Sequence, residues 1–485
     1  MTSRTAAPPS DRSEGQLVRG LGLLDATMLV AGIVIGSGIF MQTGKIAAGL
    51  PSAGLILLAW ILGGVLSTAG ALCYAELGAM MPHSGGQYVF LREAFHPLFG
   101  FLYGWAGFLI IHSASIAAVG VGFATYFGAF LPEISPANRL LEADLGALGT
   151  WRLNAGQLTA VGLIAFLTLL NVLGVRVGGK VQTAFGIAKI GGAAGLAVAG
   201  FLIGRTRAPD LLPLVPEGTE FALGAGFGMA LVRVLWAYDG WNDSTFAAGE
   251  IKDPRKNLPL ALLLGMAIVT AFYIGMNVFY LSAVPIADMA AIDPGDGRPG
   301  VQRIAHLAAE HSLGATGRGL VSAAVAVSTF GCVNGIILAA ARLYWAMARD
   351  GLFFRRIGAT HERRRTPHVS LLWQGAVSAL LAVSGSYDQL TDGVVFAATI
   401  FYALTVLGVI VLRRRNPEWP RPYRVPLYPW LPLLYVGGAA WIVGMNFFLV
   451  PRLSLLCSAV VLAGVPLYYV WRSRTAEPAG RPAAS

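Results

Sequence analysis

Long runs of apolar residues alternate with short polar segments along nearly the whole chain. A helix that crosses a bilayer needs about 20 mostly apolar residues, and the sequence contains twelve such stretches. They cover residues 22–48, 54–80, 98–130, 155–175, 181–203, 224–249, 258–283, 317–347, 369–385, 393–412, 430–450 and 454–471. The pattern predicts an all-α polytopic membrane protein with twelve transmembrane helices.

The composition agrees with a membrane protein. Of the 485 residues, 12% are charged, about half of the roughly 25% that is typical of soluble domains. The 61 glycines fit as well, because glycine is more frequent in membrane helices than in soluble ones. The net charge of +10 resides mainly in short loops. We interpret it as a topology signal, and we expect the lipid bilayer and no nucleic acid as a partner.

Lysine and arginine are distributed unequally between the two sides that twelve spans define. In the connecting segments, 23 lie on the side of the N-terminus and 8 on the other side. Because cytoplasmic loops carry the excess of basic residues, both termini are expected to be cytoplasmic. The polar N-terminus lacks the apolar core of a cleavable signal peptide. We expect a multi-pass protein of the cell membrane.

Two of the predicted spans contain residues that are unsuited to the middle of a helix. Gly36-Ser-Gly38 lies in the first span and the turn dipeptide Asp239-Gly240 in the sixth. Irregular backbone at membrane depth is tolerated where it is buried in protein or lines a watery cavity. Interruptions at matching places in two halves are the best sequence indication of a transporter's binding site.

These matching interruptions predict an inverted repeat of two five-helix halves. The expected division of the chain is a tail at 1–20, a first repeat at 21–203, a second repeat at 204–412, two further helices at 413–472 and a tail at 473–485. At each break, exposed N–H groups attract an anion and exposed carbonyl groups attract a cation. An α-amino acid carries both charges a few ångströms apart, so it suits such a pair of breaks.

Several motifs then follow one another over about four fifths of the chain. They are Gly36-Ser-Gly-Ile-Phe40, Trp236-Ala-Tyr-Asp-Gly-Trp-Asn242, Gly249-Glu-Ile-Lys-Asp-Pro-Arg-Lys-Asn-Leu-Pro259, Ser328-Thr-Phe-Gly331 with Asn334, and Arg421-Pro-Tyr-Arg-Val-Pro426. In these motifs the chain resembles the amino acid–polyamine–organocation superfamily, and within it the L-type amino acid transporters and their bacterial relatives. The resemblance implies a five-plus-five inverted-repeat fold with discontinuous helices 1 and 6, two flanking helices and alternating access.

The resemblance also implies a substrate site at the two breaks. Its expected members are Val34, Ile35, Gly36, Ser37, Gly38, Ile39, Trp236, Ala237, Tyr238, Asp239, Asn334, Phe396 and Thr399. The N–H groups and hydroxyl at Ser37, Gly38 and Ile39 are expected to bind the carboxylate. Carbonyl groups of both breaks are expected to bind the ammonium. Trp236 matches an aromatic residue that closes over the substrate from outside, as a gate.

Lys189 lies well inside the fifth predicted span, where a charged side chain indicates a functional site by default. In related proteins a lysine here takes the place of a sodium ion and reaches toward the broken first helix and the eighth span, with Ser328 as a partner. This implies sodium independence and leaves proton coupling open. A snorkelling or structural lysine is the alternative.

Asp239 could bind a cationic side chain, organise the substrate ammonium or titrate. Arg233, six residues upstream, could form an ion pair with Asp239, which would favour neutral substrates. An interhelical hydrogen bond is the alternative to a transport role for three further residues, His112, Glu76 and Asn334. At the cytoplasmic mouth, Glu250, Arg255 and Asn257 could form a salt-bridged inner gate or a solvated loop.

Other function classes fit less well. The spans contain no Asp-x-x-Asp or His-x-x-x-His pattern of the kind that a metal-dependent membrane enzyme uses. We expect neither an enzyme nor a cofactor or metal. The segment from Leu131 to Asn154 contains no cysteine, whereas the L-type proteins of animals bind a glycoprotein through a cysteine there. No disulfide-linked heavy subunit is therefore expected.

The sequence thus predicts a sodium-independent permease for amino acids, mainly neutral ones, that works by exchange or with a proton. A permease for cationic amino acids or polyamines, and an amino acid sensor that uses the same site, are the alternatives.

Overall fold

The computed structural model describes residues 19–144, 150–203, 206–215, 223–291, 303–385 and 387–475. Within these ranges, ten helical segments are long and apolar enough to cross a membrane. Another apolar helix, His368–Ser384, has 17 residues. The protein is therefore mostly helical and polytopic, as the hydropathy pattern predicts.

The α-helices of the described ranges are numbered in chain order. They are α1 Leu23–Val34, α2 Gly38–Ala47, α3 Ala53–Met80, α4 Gln87–Ala94, α5 Pro97–Ala106, α6 His112–Phe127, α7 Ala155–Val172, α8 Val175–Ile203, α9 Leu223–Tyr238, α10 Pro254–Ala283, α11 Ile286–Ala290, α12 Ile304–Arg349, α13 His368–Ser384, α14 Tyr387–Arg415, α15 Trp430–Leu449 and α16 Pro451–Thr475. A π-helical turn, Gly107–Ile111, joins α5 to α6, and a 3₁₀ segment, Trp241–Glu250, follows α9.

Local sequence signals define several helix starts. The hydroxyl of Ser52 accepts a hydrogen bond from the N–H of Leu55 at 3.2 Å and caps α3. Asn154 and Gln157 form a reciprocal capping box at the start of α7. Pro254 occupies the first turn of α10, where its missing N–H has no cost.

Both predicted helix interruptions are confirmed. The first span divides into α1, which ends at Val34, and α2, which begins at Gly38. The sixth span divides after Tyr238, and the chain continues as the 3₁₀ segment. Gly240 lies at this second break with a φ of +97°, a left-handed conformation that glycine adopts without steric cost.

The helices around the two breaks form the interior of the bundle. The share of buried residues in the most apolar part of a span differs between helices. It is 83% in α1–α2 and in α5–α6, 28% in α15 and 22% in α16. Helices α15 and α16 therefore lie at the periphery, where a bilayer would cover their exposed apolar side chains. The α1–α2 span lies among α8, α10 and α12.

The structure departs from a purely α-helical fold in one loop. Strands β1 Arg139–Asp144 and β2 Thr150–Asn154 pair as an antiparallel hairpin. The segment has no apolar run, so the hydropathy pattern gave no signal for it. The indole N–H of Trp151 donates to the carbonyl of Val383 at 2.8 Å and attaches the hairpin to α13. In addition, α12 begins well before the predicted start at 317 and is kinked at Gly314.

Candidate functional site

The first break leaves the start of α2 with unpaired N–H groups. The N–H of Ile35 still bonds to the carbonyl of Ala31, at 2.9 Å, and the N–H of Gly36 turns back to Val34, at 2.8 Å. The next three N–H groups, at residues 37–39, have no partner among the described residues. The first N–H groups of any helix lack partners inside that helix, so this end of α2 can bind an anion.

The two broken helices touch at Gly38. A Cβ atom added at this glycine would lie 2.6 Å from the Cα atom of Ala237, next to the second break. Gly36 is equally confined, since its Cβ would lie 2.8 Å from the sulfur of Cys332. The glycines of the Gly36-Ser-Gly38 motif therefore allow the breaks to approach each other and α12.

The carbonyl groups of both breaks meet at one hydroxyl. The Tyr273 hydroxyl on α10 lies 2.8 Å from the carbonyl oxygen of Val34 and 2.7 Å from that of Ala237. A carbonyl oxygen has two lone pairs. The Val34 oxygen also accepts the N–H of Gly36 at 2.8 Å, whereas the Ala237 oxygen retains one lone pair for a second donor.

Lys189 on α8 reaches the C-terminal end of α1. Its side chain is 1% exposed, and its ammonium donates to the carbonyl of Gly32 at 2.5 Å and to that of Ile35 at 2.6 Å. The hydroxyl of Ser328 donates to the same Ile35 carbonyl at 3.0 Å. The ammonium group of Lys189 therefore lies beside the first break, bound to two carbonyl groups at the end of α1.

A cavity of about 20 Å³ lies between the two breaks, which is room for about one water molecule. From the set that the sequence predicts, the cavity lining includes Val34, Gly36, Ser37, Gly38, Trp236, Ala237 and Asp239. The remaining lining residues are Ile33 on α1, His112, Ser115 and Val119 on α6, Gly240 at the second break, Asp243 in the 3₁₀ segment, and Cys332 and Ile336 on α12. An amino acid can enter a space of this size only if the lining moves.

Tyr387, at the start of α14, covers this cavity. Its hydroxyl lies 2.9 Å from the hydroxyl of Ser37 and accepts a hydrogen bond from the indole of Trp236 at 3.1 Å. The two rings meet edge to face, with centroids 6.3 Å apart. Trp236 and Tyr387 together separate the cavity from the end of the bundle where α2 terminates, which we call the opposite face.

The end of the bundle where α1 begins, which we call the N-terminal face, is closed by a buried ion pair. Arg342 on α12 donates to Glu250 at 2.9 Å, and both side chains are buried. The backbone carbonyl of Glu250 also accepts from the N–H groups of Gly20 and Leu21. The segment before α1 is thereby attached to the end of the 3₁₀ segment.

Comparison with known proteins identifies the family. Residues 21–466 match the family model described as Amino acid permease. The chain belongs to this family. The predicted resemblance is therefore confirmed at the level of the family, and the protein is a multi-pass membrane permease.

The relatives of this permease are similar over nearly its whole length. The Serine/threonine exchanger SteT of Bacillus subtilis (strain 168) is 33% identical over 465 residues, which cover 95% of this chain and 98% of that protein. The b(0,+)-type amino acid transporter 1 of Mus musculus is 30% identical over 481 residues, 95% of this chain and 91% of that protein. The Large neutral amino acids transporter small subunit 2 of Mus musculus is 30% identical over 473 residues, which cover 96% of this chain and 84% of that protein.

Several predicted site residues of the permease lie away from the cavity. Ile35 contributes its carbonyl to Lys189 and Ser328, and Ile39 is fully buried in the core. Tyr238 packs between Trp60 and Tyr273. The order of residues along a helix does not reveal which side faces a cavity, and these three face the protein interior.

Asn334 has a different environment from the one expected of a substrate ligand. It accepts a hydrogen bond from Asn171 at 2.9 Å and donates to Gln182 at 3.2 Å and to the carbonyl of Gly178 at 3.3 Å. These contacts join α12 to α7 and α8, which is the interhelical alternative considered for this residue. Phe396 packs edge to face on Phe447 of α15 and does not line the cavity.

Thr399 lines a second cavity, together with Asp239 and Tyr402. The Tyr402 hydroxyl donates to the Asp239 carboxylate at 2.7 Å. The ion pair considered between Arg233 and Asp239 is not formed, because Arg233 points to Gln42, 3.5 Å away. The break turns the two side chains in different directions.

Two other charged residues that the sequence singles out, Glu76 and Arg255, do not line either cavity. Glu76 forms an ion pair with Arg413 at 2.6 Å and accepts the N–H of Val425 at 2.7 Å. Arg255 is exposed, so the salt bridge at the N-terminal face is made by Glu250 with Arg342 instead.

Two residues of the site gave no clear signal in the sequence. Tyr387 lies outside the predicted tenth span, which starts at 393. Asp243 follows the second break and lines the cavity beside His112. It directly follows the motif Trp236–Asn242, and only the 3₁₀ geometry turns its side chain toward the cavity.

Proposed function

We propose that this permease exchanges amino acids across the cell membrane by alternating access, without sodium. The observation that carries the proposal is the meeting of two broken helices at one buried cavity, with the unpaired N–H groups of residues 37–39 beside it at the start of α2. The family and the named exchangers and transporters among its relatives support it.

The broken helices bind the groups that all α-amino acids share. The N–H groups of α2 and the Ser37 hydroxyl bind the carboxylate, because they supply donors at the positive end of a helix dipole. The second lone pair of the Ala237 carbonyl is available to the ammonium. Thr399 and Asp239 belong to the adjacent space that receives the side chain.

Lys189 and Ser328 hold the broken first helix in place of a bound sodium ion. The ammonium already bonds to two carbonyl oxygens of α1, and carbonyl oxygens are also the ligands that a small hard cation would use. A resident lysine makes transport independent of sodium.

Trp236 with Tyr387 forms the outer gate, and Glu250 with Arg342 the inner gate. Both termini lie in the cytoplasm, because the basic residues concentrate on that side. Twelve spans in a five-plus-five inverted repeat, with repeats at 21–203 and 204–412, provide the rocking that opens one gate at a time. In this scheme α9 and α13, which are shorter than the other membrane helices, complete the twelve spans.

The chain works without a disulfide-linked heavy subunit. One relative is named as a small subunit, so this point is open to test. The three cysteines, Cys73, Cys332 and Cys457, are all buried, and the segment from Leu131 to Asn154 contains none. A buried thiol cannot reach a second chain.

Neutral amino acids are the main substrates, in keeping with the names of the serine/threonine and large neutral relatives. A permease for cationic amino acids is the second candidate, and the carboxylate of Asp239 at the cavity favours it. The two candidates differ in whether lysine and arginine are carried.

The test is counterflow in proteoliposomes. The purified permease is reconstituted with each of a panel of unlabelled amino acids inside, and uptake of labelled serine is measured with sodium or with choline outside. We expect uptake that depends on internal neutral amino acids and is equal in both salts. Absence of counterflow for the whole panel would reject amino acid exchange, and a requirement for sodium would reject the role of Lys189.

A further inference from the structure

A carboxylate and an imidazole lie together on the cavity wall without a role in binding the substrate's main-chain groups. Asp243, in the 3₁₀ segment, and His112, at the start of α6, both line the cavity and are each 2% exposed. The Oδ2 atom of Asp243 lies 3.8 Å from the Nδ1 atom of His112. The Nε2 atom of His112 lies 3.2 Å from the Tyr103 hydroxyl.

Asp243 lacks the partners that a buried carboxylate needs. Its Oδ1 atom is buried and has no hydrogen-bond partner among the described residues. Within the same ranges His112 is its one ion-pair partner, and the ammonium of Lys189 is directed to the carbonyls of α1 instead. An isolated buried carboxylate is so costly that it normally takes up a proton or acquires a cation.

The other titratable groups near Asp243 supply no positive charge. Those that interact with it electrostatically are Asp239, Cys332, Tyr103, Tyr344 and Tyr402. Asp239 is itself an acid, although its carboxylate has the Tyr402 hydroxyl as a donor. One proton shared by Asp243 and His112 makes this wall of the cavity neutral, either as acid and neutral imidazole or as carboxylate and imidazolium.

We propose that Asp243 and His112 hold one proton while a neutral amino acid occupies the closed cavity, and release it when a cationic amino acid takes its place. This inference rests on the proposed exchange function. The cationic side chain supplies the positive charge that the proton otherwise supplies, so the cavity closes with the same net charge in both cases. The proton leaves to the water on whichever side the cavity is open.

The exchange then balances in charge. When a neutral amino acid enters and a cationic one leaves, the neutral substrate carries one proton inward and the cationic substrate carries one positive charge outward. Exchange of one neutral amino acid for another moves no net proton. One transporter thereby accepts both classes of substrate without moving net charge.

The test uses wild-type permease in proteoliposomes that contain a pH-sensitive dye. Vesicles loaded with lysine or with serine receive labelled serine outside, and internal pH and label are followed together. We expect one proton to enter per serine in lysine-loaded vesicles, none in serine-loaded vesicles, and no effect of an imposed membrane potential on either. Serine–lysine exchange that depends on potential and moves no proton would overturn the proposal, as would serine–serine exchange with no lysine transport.

These wild-type outcomes are separable from failure of the proposed function, in which serine–serine exchange itself is absent. Relative to serine–serine exchange in the same variant, Asp243→Asn should lose at least about nine tenths of lysine exchange, together with its proton movement. Asp243→Glu should retain both. Asp288→Asn, at an exposed position on α11, is the matched control and should behave as wild type. Lysine exchange with normal proton movement in Asp243→Asn would assign the proton to another group and overturn the proposal.

Discussion

The hydroxyl oxygens of Ser37 and Tyr387 lie 2.9 Å apart, although 350 residues separate them in the chain. This contact joins the start of α2 to the start of α14, directly over the cavity. The indole of Trp236 donates to the same tyrosine hydroxyl. Ser37, which is proposed to bind the substrate carboxylate, is therefore also bonded to the outer gate. Substrate binding and gate closure thus use the same serine hydroxyl group.

Tyr387→Phe should make the cavity more accessible from outside. The change removes the hydroxyl and its two hydrogen bonds but keeps the ring, and a hydrogen bond contributes about 1 kcal/mol net, or about fivefold in an equilibrium. The reporter is Cys332, which lines the cavity, in a background with Cys73→Ala and Cys457→Ala. We expect several-fold faster modification by a membrane-impermeant thiol reagent. Tyr469→Phe, at an exposed position of α16, is the control; an equal labelling rate in both variants would contradict the gate.

Ser37→Leu should block transport while the protein still folds. Ser37 packs closely against Gly122, whose added Cβ would lie 2.9 Å from the serine Cβ, so the leucine side chain has to enter the cavity. We expect labelled serine uptake at the level of empty vesicles, with a normal gel-filtration profile in detergent. Ser384→Leu, at an exposed residue of α13, should transport normally. Near-normal uptake by Ser37→Leu would remove the proposed carboxylate site.

Lys189→Ala should reduce transport by more than about tenfold or change its pH dependence. The change leaves the buried carbonyl of Gly32 without its donor, which costs about 1–3 kcal/mol for an unsatisfied group, and leaves the Ile35 carbonyl with the Ser328 hydroxyl alone. Uptake is measured over a range of pH with equal pH on both sides. Lys180→Ala is the matched control, since Lys180 lies on the same helix and is exposed. An unchanged rate and pH profile in Lys189→Ala would reduce this lysine to a structural role.

Gly38→Ala should impair transport because it separates the two broken helices. The new Cβ would lie 2.6 Å from the backbone of Ala237, and a backbone cannot move aside as a flexible side chain can. Counterflow and the thermal midpoint in detergent are both measured. Gly437→Ala on α15 is the control, because no atom lies within 4 Å of its added Cβ. Equal activity of the two variants would show that the breaks need not touch during transport.

Glu250→Gln should destabilise the closed N-terminal face. It leaves the guanidinium of Arg342 buried without its counter-charge, and breaking a buried ion pair in this way costs about 3–5 kcal/mol. A lowered thermal midpoint is expected, with partial recovery in the double variant Glu250→Gln/Arg342→Met. The control is Glu142→Gln, whose exposed pair with Arg152 is worth about 0–1 kcal/mol. Equal midpoints for Glu250→Gln and the control would contradict the prediction.

Hydropathy and turn residues were enough to find the helices and both breaks, because these features depend on local sequence. Gly36-Ser-Gly38 and Asp239-Gly240 consist of residues that are unfavourable in a helix interior, and the family motifs added the expected type of transporter. The hairpin formed by β1 and β2 was missed, since its strands are short and contain no long apolar run.

Contacts between distant segments could not be predicted in the same way. Asn334 and Asp243 are both polar residues in largely apolar stretches of the sequence. Asn334 forms hydrogen bonds with α7 and α8, whereas Asp243 faces the cavity. Which of the two directions a polar side chain takes depends on the rotation of its helix and on the neighbour packed there. Arg233 illustrates the same point, since it contacts Gln42 instead of Asp239.

The sequence by itself determined the membrane environment and the positions of the two broken helices, because apolar runs and helix-breaking residues act through local physical chemistry. The motif residues, which are read directly from the sequence, indicated the permease family. Only the tertiary structure decided which groups surround the cavity: the Tyr387 cover, the Lys189 contacts with α1, and the pair of Asp243 and His112. These depend on helices that are far apart in the chain and are brought together by packing, and their side chains point where the packed helices leave space.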